Sequence, residues 1–184
     1  HKLCIRRGYT FRNFNRADYE EELGLLYRLS REIFAGNHLY TPVSEEVFRG
    51  LYAGVRAILD PTLVWFAFAK TGEPAGFVFC FPDYARAQQA MGGKTHIWAK
   101  LKFLMNKSAA DTLNIKTLGS TPKYRGSGLG PALMYLAFQS GIDARFEKAN
   151  MCLIKDDNDS GRLDGGEGVI MRRYNLYRYE LGNE

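Results

Sequence analysis

The sequence predicts an α/β (α+β) domain: a mixed sheet with helices on both faces. Three observations predict it. Segments of β character interleave with segments of helical apolar spacing along the whole chain. Leu63–Ala69 and Ala75–Phe81, rich in Val, Phe and Trp, flank Thr71-Gly72-Glu73-Pro74 in the manner of a hairpin. A glycine-rich turn, Arg125-Gly126-Ser127-Gly128-Leu129-Gly130, then joins a strand pattern to a helical one. The 184 residues suit one domain with a substantial core. With 46% hydrophobic and 24% charged residues the composition excludes a disordered chain. The longest uncharged apolar run, Leu63–Ala69, is far too short to cross a bilayer, which excludes an integral membrane protein built on a spanning helix.

In order along the chain, Leu3–Arg7 reads as a short strand and Gly8–Ala17 as a polar connection. A helix starts at Asp18, where Asp18 and Glu21 have the form of a capping box. Glu20, Glu21 and Glu22 add negative charge at the positive end of the helix dipole. Tyr19, Leu23, Leu26, Ile33 and Phe34 give one buried stripe, and Gly36-Asn37 ends it. Ser44 is the N-cap of a second helix that Asp60-Pro61 stops. The hairpin comes next. Residues 83–96 are irregular or partly helical, and Ile97–Met105 is a short helix. Thr112–Ser120 is a strand with Leu113, Ile115 and Thr117 on one face. Leu129–Ala144 is a helix, Lys148–Ile154 a strand, and Val169–Leu181 a long aromatic last strand.

Cys4, Cys80 and Cys152 are isolated and odd in number, which points to free thiols in a reducing, cytoplasmic compartment. No Cys pair or His spacing suggests a metal, so none is expected. The formal charge of +5 fits an anionic ligand, a phosphate-rich cofactor or nucleic acid alike. Arg172, Arg173 and Arg178 interleave with Tyr174, Tyr177 and Tyr179, but strand alternation would split them between two faces, so nucleic acid is the weaker reading. Gly92-Gly93-Lys94-Thr95 lacks the earlier glycine of a P-loop, since position 88 is Gln.

The turn before the Leu129 helix carries the chemistry. Glycine accepts positive φ and lets a ligand approach without meeting a Cβ. Successive N–H groups can then face one concavity, and the helix adds its free N–H groups and positive dipole end. Such a turn binds phosphate or pyrophosphate. Its glycines at alternate positions are not the dinucleotide spacing G-x-G-x-x-G.

Residues Leu118 to Gly130 resemble motif A of the GCN5-related N-acetyltransferase (GNAT) superfamily, Arg/Gln-x-x-Gly-x-Gly/Ala, met here by Arg125, Gly128 and Gly130. The order of elements is similar over nearly the whole chain. Leu39–Glu46, Phe77–Tyr84 and Lys155–Asn158 further resemble a bacterial GNAT group with two such units in tandem, of which this chain looks like the C-terminal one. The resemblance implies a mostly antiparallel twisted sheet, splayed between its fourth strand (ending at Ser120) and its fifth (Lys148–Ile154). It implies an acetyl-CoA or other acyl-CoA cofactor. Its pantetheine arm would pair with the backbone of Leu118, Gly119 and Ser120, and its pyrophosphate would sit on the N–H groups of Arg125, Gly126, Ser127, Gly128, Leu129 and Gly130. Asn158 would also contact it. The implied reaction is direct attack of an amine, on a small molecule or peptide, at the thioester. Asn37, His38, Asp83 and Tyr84 lie in loops that would flank this acceptor. The family's usual Tyr beyond the Asn is missing from Asp159–Gly166, which leaves Tyr174 and Tyr177 as the substitutes for the thiolate's acid. An N-terminal partner domain or a homodimer is the expected protein partner, and no membrane. The rival reading is a catalytically idle GNAT unit that binds CoA or packs on a partner.

Overall fold

The computed structural model describes residues 1–37, 40–154, 163, 166–177 and 179. Helices α1 (Lys2–Arg6), α2 (Tyr19–Phe34), α3 (Glu45–Ala53), α4 (Ala85–Ala90), α5 (Ile97–Asn106) and α6 (Leu129–Asp143) surround a sheet. Its strands are β1 (Thr10–Asn13), β2 (Val64–Phe68), β3 (Pro74–Pro82), β4 (Thr112–Ser120) and β5 (Lys148–Met151), in that spatial order. Every neighbouring pair is antiparallel except β4–β5, which is parallel.

Strand alternation divides the core between the two faces. Phe66, Phe77 and Phe79 meet Leu23, Leu26 and Ile33 of α2 on one side. Ala67, Val78, Cys80, Leu113 and Ile115 meet Leu129, Leu133 and Ala137 of α6 on the other. The half-buried Trp65 points to the α6 side and donates its indole N–H to Ser140 Oγ at 2.9 Å. Ser44 caps α3 as expected, its Oγ accepting from the Val47 N–H at 3.3 Å.

Four expectations are corrected. The triplet Leu3-Cys4-Ile5 is helical, because only Cys4 enters the core (2% exposed) while Leu3 and Ile5 stay more than half exposed. The first strand is instead the polar segment Thr10–Asn13, paired from Thr10↔Phe68 to Asn13↔Trp65. Arg12 on it forks onto the buried Glu22 of α2 at 2.8 Å, and tertiary pairing outweighs its poor strand propensity. Asp18 does not cap α2: Asn15 Oδ1 accepts from the Ala17 N–H, and Asp18 accepts from Asn15 Nδ2. Among the described residues of Val169–Leu181 there is no strand, and their side chains are exposed.

The fourth strand holds a feature invisible in its apolar pattern. The β3–β4 register passes from Phe79↔Thr117 to Cys80↔Ile115, so Lys116 is an extra, bulged residue. The bulge reverses the facing of the residues after it. Leu118 joins Leu113 and Ile115 on the α6 side, and Thr117 and Gly119 turn to α2. A Cβ on Gly119 would stand 2.5 Å from Ile33 Cγ2, so only glycine lets α2 lie this close to the end of β4.

Candidate functional site

β4 and β5 part company. Their ladder runs from Thr112↔Lys148 to Ile115↔Met151, and the Cys152 N–H closes it on the Ile115 carbonyl at 3.1 Å. β4 continues through Ser120, and among the described residues no strand lies beside it on that edge. This is the expected splay. The Thr121 N–H donates to the Ala75 carbonyl at 2.9 Å, so alternation gives Gly119 and Thr117 to β3. The backbone groups of Leu118 and Ser120 therefore face the vacated edge, and those of Gly119 do not. A chain of amides laid in the fork finds the same partners a sixth strand would.

The glycine-rich turn stands at the far end of this edge. One 3-10 turn, Pro122–Tyr124, leads into Arg125; Gly126 has φ +74°, and Gly128, with φ +91°, is the N-cap of α6. A left-handed residue directly before a helix costs an L side chain about 1–2 kcal/mol, which glycine avoids. Three carbonyls of the turn are occupied. Tyr124 O accepts from Ser127 Oγ at 2.6 Å, Ser127 O from Arg7 at 3.0 Å, and Gly128 O from the Ala132 N–H at 3.2 Å. Arg125 and Ser127 spend their own N–H groups on Pro122 O (3.4 Å) and Tyr124 O (3.3 Å). Among the described residues the N–H groups of Gly126, Gly128, Leu129 and Gly130 meet no acceptor. Four of the six expected amides thus form a donor cluster at the positive end of a 15-residue helix.

The turn is braced from three sides. Arg125 donates through Nη2 to the Ile33 carbonyl at the end of α2 (3.0 Å), and Arg7 reaches Ser127 O from the end of α1. Glu73, in the β2–β3 turn, takes Lys123 Nζ and the Tyr124 hydroxyl. The lysine first, then the tyrosine hydroxyl, hold the Glu73 carboxyl below the usual carboxylate range. Sequence reasoning missed Arg7 and Glu73; neither has a spacing that ties it to residues so distant along the chain. It also gave Arg125 a backbone role only, whereas its guanidinium fastens the turn to α2.

At the closed end of the fork lie Cys152, bonded to the Ile115 carbonyl, and the bulged Lys116. Burial, then the Asp83 carboxylate, raises the Cys152 thiol pKa, and Lys116 opposes them. Asp83 stands level with the start of β4, where its N–H donates to the Thr112 carbonyl and its Oδ1 accepts from the Ala85 N–H. Tyr84 comes directly after it, half-buried, its ring 5.3 Å from that of Phe103, with its hydroxyl pKa raised by burial first and by Asp60. Asn37 is exposed at the end of α2. His38 and Asn158 lie outside the described residues. Tyr174 and Tyr177 are 71% and 86% exposed, with no ring contact or hydrogen bond to another described residue. Among the described residues no three His, Cys, Asp or Glu side chains gather as a metal site would need. Two open hollows, of about 420 and 300 Å³, line α2 around Arg28 and hold none of these groups.

The three thiols differ in reach. Cys4 and Cys80 are buried, and burial pushes Cys80 up to about 12, with Cys152 adding a little; Cys152 is only partly buried. Alkylation of the native chain is expected at Cys152 alone. Because the thiolate reacts and its pKa is raised, the rate should still be climbing above about pH 9. Mass mapping of iodoacetamide-treated protein over about pH 7–10 checks both points.

A model of the acetyltransferase (GNAT) family matches residues 24–162. The chain is 26% identical over 144 residues to the bacterial ceramide synthase of Caulobacter vibrioides, covering 77% of this chain but 37% of that protein. Its fold is similar to a putative acetyl transferase from Pyrococcus furiosus, with TM-score 0.58 and 16% identity over 94% of this chain and 99% of the other. It is also similar to a chain of the NatC complex bound to Gag peptide and CoA, with TM-score 0.54 and 18% identity over 94% of this chain and 91% of that one.

Proposed function

Since the chain belongs to the acetyltransferase (GNAT) family, a family of transferases that use acyl-CoA, we propose that it binds an acyl-CoA, acetyl-CoA in the first instance, and transfers the acyl group to an amine. The observation that carries this reading is the pairing of four acceptorless N–H groups at the mouth of α6 with the open edge of β4. The diphosphate would sit on Gly126, Gly128, Leu129 and Gly130. The pantetheine amides would follow Leu118 and Ser120 into the fork, and the thioester would come to rest near Cys152 and Lys116. Asn158 remains a proposed contact of the arm.

Direct attack needs a neutral amine, donors for the carbonyl oxygen and a proton for the departing thiolate. Asp83, Tyr84, Asn37 and His38 are the proposed acceptor residues. Tyr174 and Tyr177 are the proposed acids: Tyr→Phe at the true one lowers kcat and leaves the KM for acyl-CoA in place, and an unchanged kcat removes that tyrosine. The acceptor is a small-molecule or peptide amine. The relative named for making ceramide, an amide of a long-chain amino alcohol, favours a lipid amine as a second reading. The free thiols fit a cytoplasmic setting. The chain spans 37% of that relative's length, and a partner unit N-terminal to this one, or a second copy, belongs to the same proposal.

Acetyl-CoA at about one hundred times its Kd should stabilise the chain by about 2.7 kcal/mol and raise its Tm by several degrees. It should also shield Cys152 from alkylation. No shift with any acyl-CoA refutes the reading. A shift without thiol release across an amine panel leaves an idle CoA-binding unit instead.

A further inference from the structure

The antiparallel neighbours β3 and β4 need only a short turn between them, yet residues 83–111 intervene and carry α4 and α5. The outer face of α5 is apolar. Ala99 (2% exposed) and Phe103, which packs on Tyr84, seat the helix on the protein. At about 100° per residue Leu104, Ile97, Leu101, Met105 and Trp98 fall on one continuous arc on the opposite side, and all are 46–73% exposed. Lys100 borders this arc on one side and Lys102 on the other. A helix that only covered a core would turn the arc inward.

The charge around the arc says what covers it. From Tyr84 to Ala110 the chain carries Arg86, Lys94, Lys100, Lys102 and Lys107 and no Asp or Glu, a local excess that equals the +5 of the whole chain. Cores of protein interfaces are depleted in lysine. Anionic lipid surfaces attract it, while Trp and apolar side chains settle at the headgroup boundary and flanking lysines reach up to the phosphates.

We propose that α5 lies in the surface of an anionic phospholipid membrane, with Trp98, Leu101 and Met105 inserted and Lys94, Lys100, Lys102 and Lys107 on the headgroups. The sequence alone predicts no membrane partner, and no described helix is long and apolar enough to span one; this contact spans nothing. It is independent of the acyl-CoA reading. α5 lies toward the start of β4, and the diphosphate seat lies beyond its end, roughly 26 Å along the strand at ~3.3 Å per residue, so a docked membrane would leave the seat in water.

Vesicle flotation with the 184-residue chain tests it, using phosphatidylcholine alone and phosphatidylcholine with phosphatidylglycerol. Binding is expected on the mixed vesicles, weak on the neutral ones, and weakened by salt. Lys100→Gln with Lys102→Gln should weaken it about fivefold per lysine. Trp98→Ser with Leu101→Gln should abolish it. Both variants touch only exposed side chains, so thermal melting and acetyl-CoA binding should match the parent and show that the fold is intact. Three results overturn the proposal: no flotation of the parent, equal flotation on both vesicles, or sedimentation showing self-association that the apolar variant removes while vesicles stay unbound. The last would make the arc a protein interface.

Discussion

Gly128→Glu is expected to weaken CoA binding at least about 100-fold, a loss of about 2.7 kcal/mol or more. Two causes act together. At φ +91° an L side chain is strained, and the new Cβ would stand 3.7 Å from Cys4 Sγ, which is ordinary contact. Strain therefore costs some stability without blocking the fold. The carboxylate then lies beside the N–H groups of Gly126, Leu129 and Gly130 and occupies them as an internal anion, in the place the diphosphate requires. Gly128→Ala carries the same strain without the charge, and separates the causes: it should keep most of the affinity. Titration calorimetry on both variants, with melting curves to confirm folding, measures the difference. Equal affinities for parent and Gly128→Glu would remove the diphosphate from this turn.

Phe66→Ala is expected to destabilise the fold by about 3–5 kcal/mol, a large part of the roughly 5–15 kcal/mol that holds a domain together. Phe66 is fully buried on β2, stacked on Phe14 with centroids 6.3 Å apart, and lies in the cluster that fixes α2 to the sheet. Its partners belong to several elements, so the space left behind cannot close by moving one side chain. Urea unfolding should show a lower midpoint at an unchanged m-value. The same variant should bind acyl-CoA less well, because the Ile33 carbonyl that anchors Arg125 rides on α2. A loss below about 1 kcal/mol would mean that this half of the core is not what seats α2.

The sheet's interior strands and their flanking helices were legible because their patterns are strong. The β2–β3 hairpin combines aromatic and β-branched runs with a turn containing Gly72, and α6 places Leu129, Leu133 and Leu136 on one side. The glycine turn was legible from local chemistry, and the splay only through resemblance. The features that escaped depend on contacts distant in sequence. Thr10–Asn13 is a strand because β2 offers it an edge, and Leu3–Arg7 is not one because α6 offers Cys4 a socket. The Lys116 bulge leaves no trace in composition, yet it turns Leu118 and Gly119 to the faces they occupy. The braces from Arg7 and Glu73 join residues whose spacing carries no signal. The apolar spacing of Ile97–Met105 predicts the helix α5 but not its exposed arc, since an apolar stripe by itself does not say which way it points.

Four main-chain amides held open for a diphosphate are the centre of the proposed chemistry. An amide-resolved NMR titration of the ¹⁵N-labelled chain with CoA tests them directly. The predicted result is that the N–H resonances of Gly126, Gly128, Leu129 and Gly130 move most and saturate together, with smaller shifts at Leu118 and Ser120. Saturable CoA binding that leaves those four unmoved, or no binding at all, would contradict it.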